Sequence, residues 1–425
     1  MIKWNQSNYI QEFLNLYRHS FSKCSLIQFW SSNQLKQYLS EEHIFSLALN
    51  RPAGKGILYG LDHIKTRQSF FNLLPKDVRI KLISKKLSHF NFWLLFEEAL
   101  GCKVHSSLLY DVLDIGAGHS VYLLKFQNFE YVLKEENLQT HCFMSTLLND
   151  LGWASLKTFH ITYKNRAFEL TEYAGEYTLE KWLKSLKKPV SKTLLKNLSY
   201  HAALGDCIGR GDRHFENYVL KEHSLIPIDF TYLFSEHHEW WVMTYTKAGM
   251  NEIGALQSYI HHAESLYQYL DFFLKQYRLM FNSFINHNDL FERLINTYFK
   301  DQASREKYAN FFKDRLQHPM YAASQCQSYV MGFLTFIKRY AYKQLLQLLV
   351  HKHPEVFKYN AYLTMYYQAD LNRYSSFFQL DEFNRGYLLD LIEGLAKFYQ
   401  IDVKAFFKPY DHIDLVLRKK LPYDL

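Results

Sequence analysis

The stretch Leu204-Gly-Asp-Cys-Ile-Gly-Arg-Gly-Asp212-Arg213-His214-Phe-Glu-Asn217-Tyr-Val-Leu220, resuming after a turn at Ile226-Pro-Ile228-Asp229-Phe230, decides how the rest of the chain is read. An Asp followed five residues later by an Asn puts two useful groups on one loop. The carboxylate can orient or deprotonate a hydroxyl, and the amide oxygen can help hold a divalent cation. The pattern predicts two short strands, Tyr218–Leu220 and Leu225–Ile228, with a turn over Lys221–Ser224 between them. Such a hairpin brings Asn217 and Asp229 together at its open neck, within reach of one Mg²⁺. Asp212 and His214 are therefore candidate catalytic residues, and Asn217 and Asp229 candidate metal ligands. Taken singly, each reads as a turn cap, a loop amide or a surface imidazole. Their joint spacing points to phosphoryl transfer.

Upstream, the hydrophobic period changes twice. Residues 1–105 read as helical, with Tyr9–Tyr17 and Phe92–Leu100 carrying apolar residues at i, i+3 and i+4. The loop Arg51-Pro-Ala-Gly-Lys-Gly56 lacks the spacing of a phosphate loop and reads as a connection. Strands are expected at Leu108–Leu113, Val121–Phe126 and Phe129–Lys134, then a helix over His141–Leu151, then strands at Leu156–Tyr163 and Arg166–Glu172. Lys134 closes the third strand and is the candidate ligand of ATP α/β-phosphates. The helix that follows has no Glu to pair with it, and Glu135 and Glu136 are the nearest carboxylates. Gly116, Gly118 and His119 lie in the turn before the second strand, where glycines permit close backbone approach to a nucleotide phosphate. Thr178 is placed to cap a helix over Leu179–Leu186, and from Lys192 the chain is helical apart from the hairpin. This order predicts an α+β, bilobal, kinase-like fold. The expected division is a helical region over 1–105, a β-rich N-lobe over 106–176, and a helical C-lobe with a C-terminal helical extension over 177–425.

Composition supports that picture. The 425 residues carry only 16 Gly and 8 Pro, which disfavours collagenous, low-complexity or turn-rich all-β chains. A net charge of +8, with no concentrated basic run, does not imply a nucleic-acid partner. Five widely spaced cysteines fit neither a disulfide framework nor a zinc site, so a reducing, cytoplasmic setting is expected. No signal segment or membrane-length apolar run is evident, so a soluble protein without a transmembrane segment is expected.

Asp212-x-His214-x-x-Asn217, with Asp229-Phe230 downstream, resembles the catalytic loop and metal motif of phosphoinositide lipid kinases. The surrounding residues are closer to the kinase-like dehydratase domain of class II lanthipeptide synthetases (LanM). That family's D-x-H-x-E-N and P-x-x-D-x-x-x-L-F look like Asp212–Asn217 and Pro227–Phe234, and its Ser-Val-x-x-Leu-x-Phe is similar to Ser120–Phe126. Gly332-Phe333 and His353–Val356 look like late helical segments of the same domain. The resemblance spans about 105–360 and implies ATP- and Mg²⁺-dependent phosphorylation of Ser or Thr on a peptide or protein. In that family, elimination of the phosphate follows. Where the family has Tyr-Lys-Pro-Arg this chain has Leu133-Lys134-Glu135-Glu136, and no Arg and Thr matching the elimination step can be placed.

Two other readings stay open. A lipid kinase must hold an anionic headgroup, yet Phe230–Met250 contains Lys247 and no Arg; membrane lipid is a partner only on that reading. The aromatic run Tyr232, Phe234, Trp240, Trp241 and Tyr245 suits a peptide groove or plain packing. A kinase-shaped binding protein without catalysis is the remaining alternative.

Overall fold

Alternation along the extended segments decides the sheet. In β1 (Leu109–Asp114), β2 (Val121–Phe126) and β3 (Glu130–Lys134), buried apolar residues alternate with more exposed ones for most of their length. With β4 (Thr158–Tyr163) and β5 (Arg166–Glu172) they form one five-stranded sheet in the order β1-β2-β3-β5-β4. Every pairing is antiparallel. Successive side chains on a strand face opposite ways, so Tyr122, Leu124, Tyr131, Leu133, Phe168 and Leu170 share one face. There they pack with Ile83, Leu87, Phe92 and Phe96 from helices α1 (Lys76–Ser88) and α2 (Phe92–Leu100). The buried Arg79 pins α1 to the sheet edge: its Nε donates to the Val112 carbonyl and its Nη2 to Asp111, both at 2.7 Å.

The computed structural model describes residues 72, 75–88, 90–115, 121–135, 139–163, 166–185, 190–211, 213, 215–221, 224–230, 233–234, 252, 254–358, 363, 367 and 382–420. The helical expectation for 1–71, the loop at 51–56, and Tyr232, Trp240, Trp241 and Tyr245 lie outside them. The chain divides into two units, Met1–Leu138 with Leu156–Tyr173, and Gln139–Ser155 with Ala174–Leu425. Helix α3 (Thr140–Asp150) thus falls in the second unit, although it lies within the 106–176 span expected to form one lobe. The reason is its apolar side: Phe143, Met144, Leu147 and Leu148 belong to that unit's core.

The second unit continues with α4 (Leu179–Ser185) and α5 (Lys192–Ile208), the hairpin β6 (Tyr218–Lys221) and β7 (Ser224–Pro227), then α6 (Ala263–Ser283) and α7 (Asn288–Tyr298). Helices α8 (Gln302–Gln317), α9 (Tyr321–Lys352), α10 (Glu382–Phe398) and α11 (Val403–Lys420) follow. Sequence signals mark the helix starts. Thr178 accepts from the Lys181 N–H at 3.3 Å, and Ser191 from the Leu194 N–H at 3.2 Å. Helix α5 ends at Gly209, whose φ of 62° suits a residue without a Cβ. The architecture of the described residues is α+β, with a five-stranded antiparallel sheet and the two-stranded β6–β7 hairpin among helices that make up most of the rest. Among the described residues, no helix is long and apolar enough to cross a membrane.

Buried groups in the second unit titrate abnormally. His201 on α5 donates from Nε2 to the Leu225 carbonyl at 3.1 Å, which ties the helix to the hairpin. Burial first, and the Arg210 charge second, push its pKa down to about 3. As pH falls below the ordinary value near 6.5, the unfolded chain binds a proton that the folded chain refuses, so stability is lost. The loss attributable to this residue reaches about 3 kcal/mol by pH 4. Urea titrations between pH 7 and pH 4 are expected to show a shallower acid loss in His201→Gln than in wild type. Parallel curves would refute the assignment.

Candidate functional site

The hairpin register sets the site. Tyr218 pairs with Pro227 and Val219 with Ile226, one residue away from the expected strand limits. Beyond the last pair the Ile228 N–H donates to the Asn217 carbonyl at 2.8 Å, so Asn217 and Asp229 flank the neck of the hairpin. The hairpin itself is the one the sequence predicts. The sequence does not anticipate the backbone of Asp229, whose φ of 61° is left-handed. A non-glycine residue holds that conformation at a cost of about 1 kcal/mol or more, and persists there only when its surroundings dictate it.

Both flanks of Asp229 are fixed. On the N-terminal side, the buried Arg210 donates from Nη2 to the Ile228 carbonyl at 3.0 Å and to the Asn217 carbonyl at 3.5 Å. Its guanidinium lies 5.0 Å from the Tyr218 ring centre and 4.9 Å from that of Phe230. On the C-terminal side, the Phe230 N–H donates to His141 Nε2 at 2.8 Å. His141 belongs to the first turn of α3, far away in sequence. The Asp229 side chain itself is 37% exposed.

Arg213, between Asp212 and His214 in sequence, is 0% exposed. Its Nη2 donates to Asp206 Oδ1 at 2.9 Å, its Nη1 to the Ala202 carbonyl at 3.2 Å, and its Nε stands 3.8 Å from Glu252. Asp206 also accepts from Tyr277 and Tyr329, each at 2.8 Å, and Glu252 accepts from Tyr218 at 2.7 Å. Burial pulls the guanidinium's pKa down, but Glu252 and Asp206 together outweigh it and hold it well above the usual value. Burial pushes the Glu252 carboxyl up against the pull of Arg213. Gly205 is what lets Arg213 in, because a Cβ there would stand 2.7 Å from Nη1 and 2.9 Å from Cδ. The loop is thereby anchored through its middle residue to α5, α6 and α9. Asp212 and His214 lie outside the described residues; Phe215–Asn217, which follows, is a single 3-10 turn.

In the first unit, β3 pairs with β5 so that Lys134 stands directly opposite Glu169. Directly opposed cross-strand residues have Cβ atoms about 5 Å apart on one face. Glu169 is 2% exposed, and its Oε1 accepts from Thr171 at 3.3 Å. Sequence reasoning looks for the carboxylate in the helix after β3 or in Glu135 and Glu136; a Glu inside the buried run Ala167-Phe168-Glu169-Leu170 is the signal it missed. Glu135 is engaged elsewhere. Burial opposes its charge, yet Lys86, at 2.9 Å, and Arg166 outweigh that and lower its pKa. Gly116, Gly118 and His119 lie outside the described residues, between Ile115 and Val121, which close the β1–β2 hairpin with an N–H to carbonyl bond of 2.8 Å.

No protein-family model matches the chain. No curated protein matches it either. Among solved structures it is similar to a proinflammatory kinase, CtkA, of Helicobacter pylori, with 12% identity and a TM-score of 0.31 over 48% of this chain and 94% of that one.

The donor set can be weighed on chemistry. No cluster of three or more His, Cys, Asp or Glu suited to a metal is present among the described residues. An amide oxygen from Asn217 and a carboxylate from Asp229 suit a hard cation that keeps most of its ligands as water and phosphate oxygens, which is how Mg²⁺ binds beside a nucleotide. The buried thiols of Cys207 and Cys326, each pushed up to about 12 chiefly by burial, are not nucleophiles. Phe234 is core, stacked on Tyr308 at 4.2 Å, so for this member of the aromatic run plain packing is the answer.

Proposed function

We propose that the chain is a kinase-like phosphotransferase that uses ATP and Mg²⁺ to phosphorylate a Ser or Thr of a peptide or protein. The observation that carries this reading is Asp229, held left-handed at the neck of a hairpin, one residue beyond the Ile228 whose N–H meets the Asn217 carbonyl. Left-handed non-glycine residues also cap and turn here, at Asn91 and Gln400, but Asp229 is the one among the described residues that carries a carboxylate. Bound Mg²⁺ would neutralise developing charge on the transferred phosphoryl group. Asn217 and Asp229 would hold it. Asp212 would orient the acceptor hydroxyl and accept its proton, with His214 steadying that carboxylate. Gly116, Gly118 and His119 would approach the nucleotide phosphates. The test incubates the purified chain with ATP and candidate peptides, with Mg²⁺ or with a chelator, and follows phosphoryl transfer by mass spectrometry. Metal-dependent gain of a phosphoryl group is expected, and loss of water from the product would reveal a following elimination. Neither change in any acceptor, with no metal-dependent ATP turnover, would favour the inert binding protein.

In the same reading Glu169 is the carboxylate that fixes Lys134 for the α/β-phosphates, in place of a helix glutamate. Removing one preorganised electrostatic contact of this kind costs about 10²-fold in rate. Lys134→Met is expected to show that loss, Glu169→Gln a smaller one, and the double variant no more than Lys134→Met alone, because residues acting as a unit are not additive. Multiplicative losses would show that the two act separately.

A further inference from the structure

We infer that His141 is a positioning residue: it holds Asp229 in its left-handed conformation and so aims the carboxylate. This rests on the phosphotransfer reading for its purpose, and on geometry for its substance. The Phe230 amide hydrogen, the first polar group after the strained residue, is taken by His141 Nε2 at 2.8 Å. An N–H donor needs a lone pair, so Nε2 is the acceptor of this bond. Asp229 Oδ1 lies 3.7 Å from that same Nε2. The imidazole therefore stands beside both the backbone that follows Asp229 and its carboxylate.

The ring is itself well fixed. His141 is almost fully buried and meets Phe230 edge to face at 5.6 Å between ring centres. The helix carrying it is anchored by Phe143, which packs on Phe234 at 5.5 Å and Phe299 at 5.7 Å. On the other flank, Arg210 holds the Ile228 carbonyl. Asp229 is therefore caught between two peptide groups, each bonded to a buried side chain from a different helix or turn. Relaxing either bond lets φ return toward the ordinary negative region, which changes where the carboxylate is aimed. The helix that lacks a glutamate for Lys134 thus serves the metal-side aspartate instead.

Two substitutions separate positioning from mere packing. His141→Leu keeps an apolar filling but offers no acceptor, whereas His141→Gln offers a carbonyl oxygen near the place of Nε2. The Phe230 amide is read by hydrogen exchange. Strong protection is expected in wild type, loss of it in His141→Leu, and recovery in His141→Gln. Activity is read as the Mg²⁺ concentration giving half-maximal transfer at saturating ATP. Groups behind a metal ligand typically shift metal affinity by 10- to 100-fold, so a rise of about tenfold or more is expected in the Leu variant, reversed in the Gln variant. An unchanged amide in His141→Leu overturns the proposal, as does an equal Mg²⁺ shift in both variants. Should wild type transfer no phosphoryl group at all, the functional reading fails, while the amide still decides whether His141 holds this backbone.

Discussion

Asp229→Asn is expected to lose Mg²⁺-dependent phosphoryl transfer by about 10³-fold or more while the chain folds as before. The two halves of that expectation come from the same residue. Its side chain is 37% exposed and is the one carboxylate proposed for the metal among the described residues, so on that proposal removing the charge would remove the cation's principal protein ligand. Its backbone, at φ 61°, is a conformation that Asn adopts more readily than most residues. The substitution therefore leaves the neck of the hairpin without new strain, and Tm should be unchanged or slightly raised. Transfer at the wild-type rate in a folded Asp229→Asn chain would remove the metal assignment. A collapse of Tm would mean that the carboxylate holds the fold rather than a cation.

The second large effect is on stability. Arg213→Met is expected to destabilise the chain by about 3–5 kcal/mol in chemical denaturation, because it strands Asp206 and Glu252 in the core without their cation. Breaking a buried charge network from one side is costly, whereas removing it altogether is often nearly neutral. The triple replacement Asp206→Asn, Glu252→Gln, Arg213→Met should accordingly recover much of the loss. Gly205→Ala should fall near Arg213→Met, since its methyl group would need the room now held by a guanidinium that cannot move outward. Arg213→Met losing less than about 1 kcal/mol would show that the network is incidental to stability.

Much of this was legible before any coordinates. The strands and the hairpin reveal themselves through alternation, and Thr178 announces its helix because a cap acts within four residues. The β6–β7 hairpin is legible for the same reason: its two strands are joined by a local turn. What stayed hidden depends on long-range pairing. Glu169 becomes Lys134's opposite number only through the β3–β5 register, and His141 meets Phe230 across 89 positions of sequence. Nothing local says that Arg213 is buried or that Gly205 leaves a hole for it. The left-handed Asp229 was hidden for another reason: no rule of composition predicts a strained aspartate where glycine would be easier.

The way the chain is divided carries a consequence for synthesis. The first unit is interrupted by 139–155 and resumes with β4 and β5, and β5 is an interior strand seated between β3 and β4. A nascent chain that has left the ribosome only as far as Leu138 therefore exposes β3 as an open, unpaired edge. Edges of this kind invite pairing with other chains, so the sheet stays hazardous until Glu172 has emerged, and a fragment ending at the apparent boundary before α3 should aggregate rather than fold.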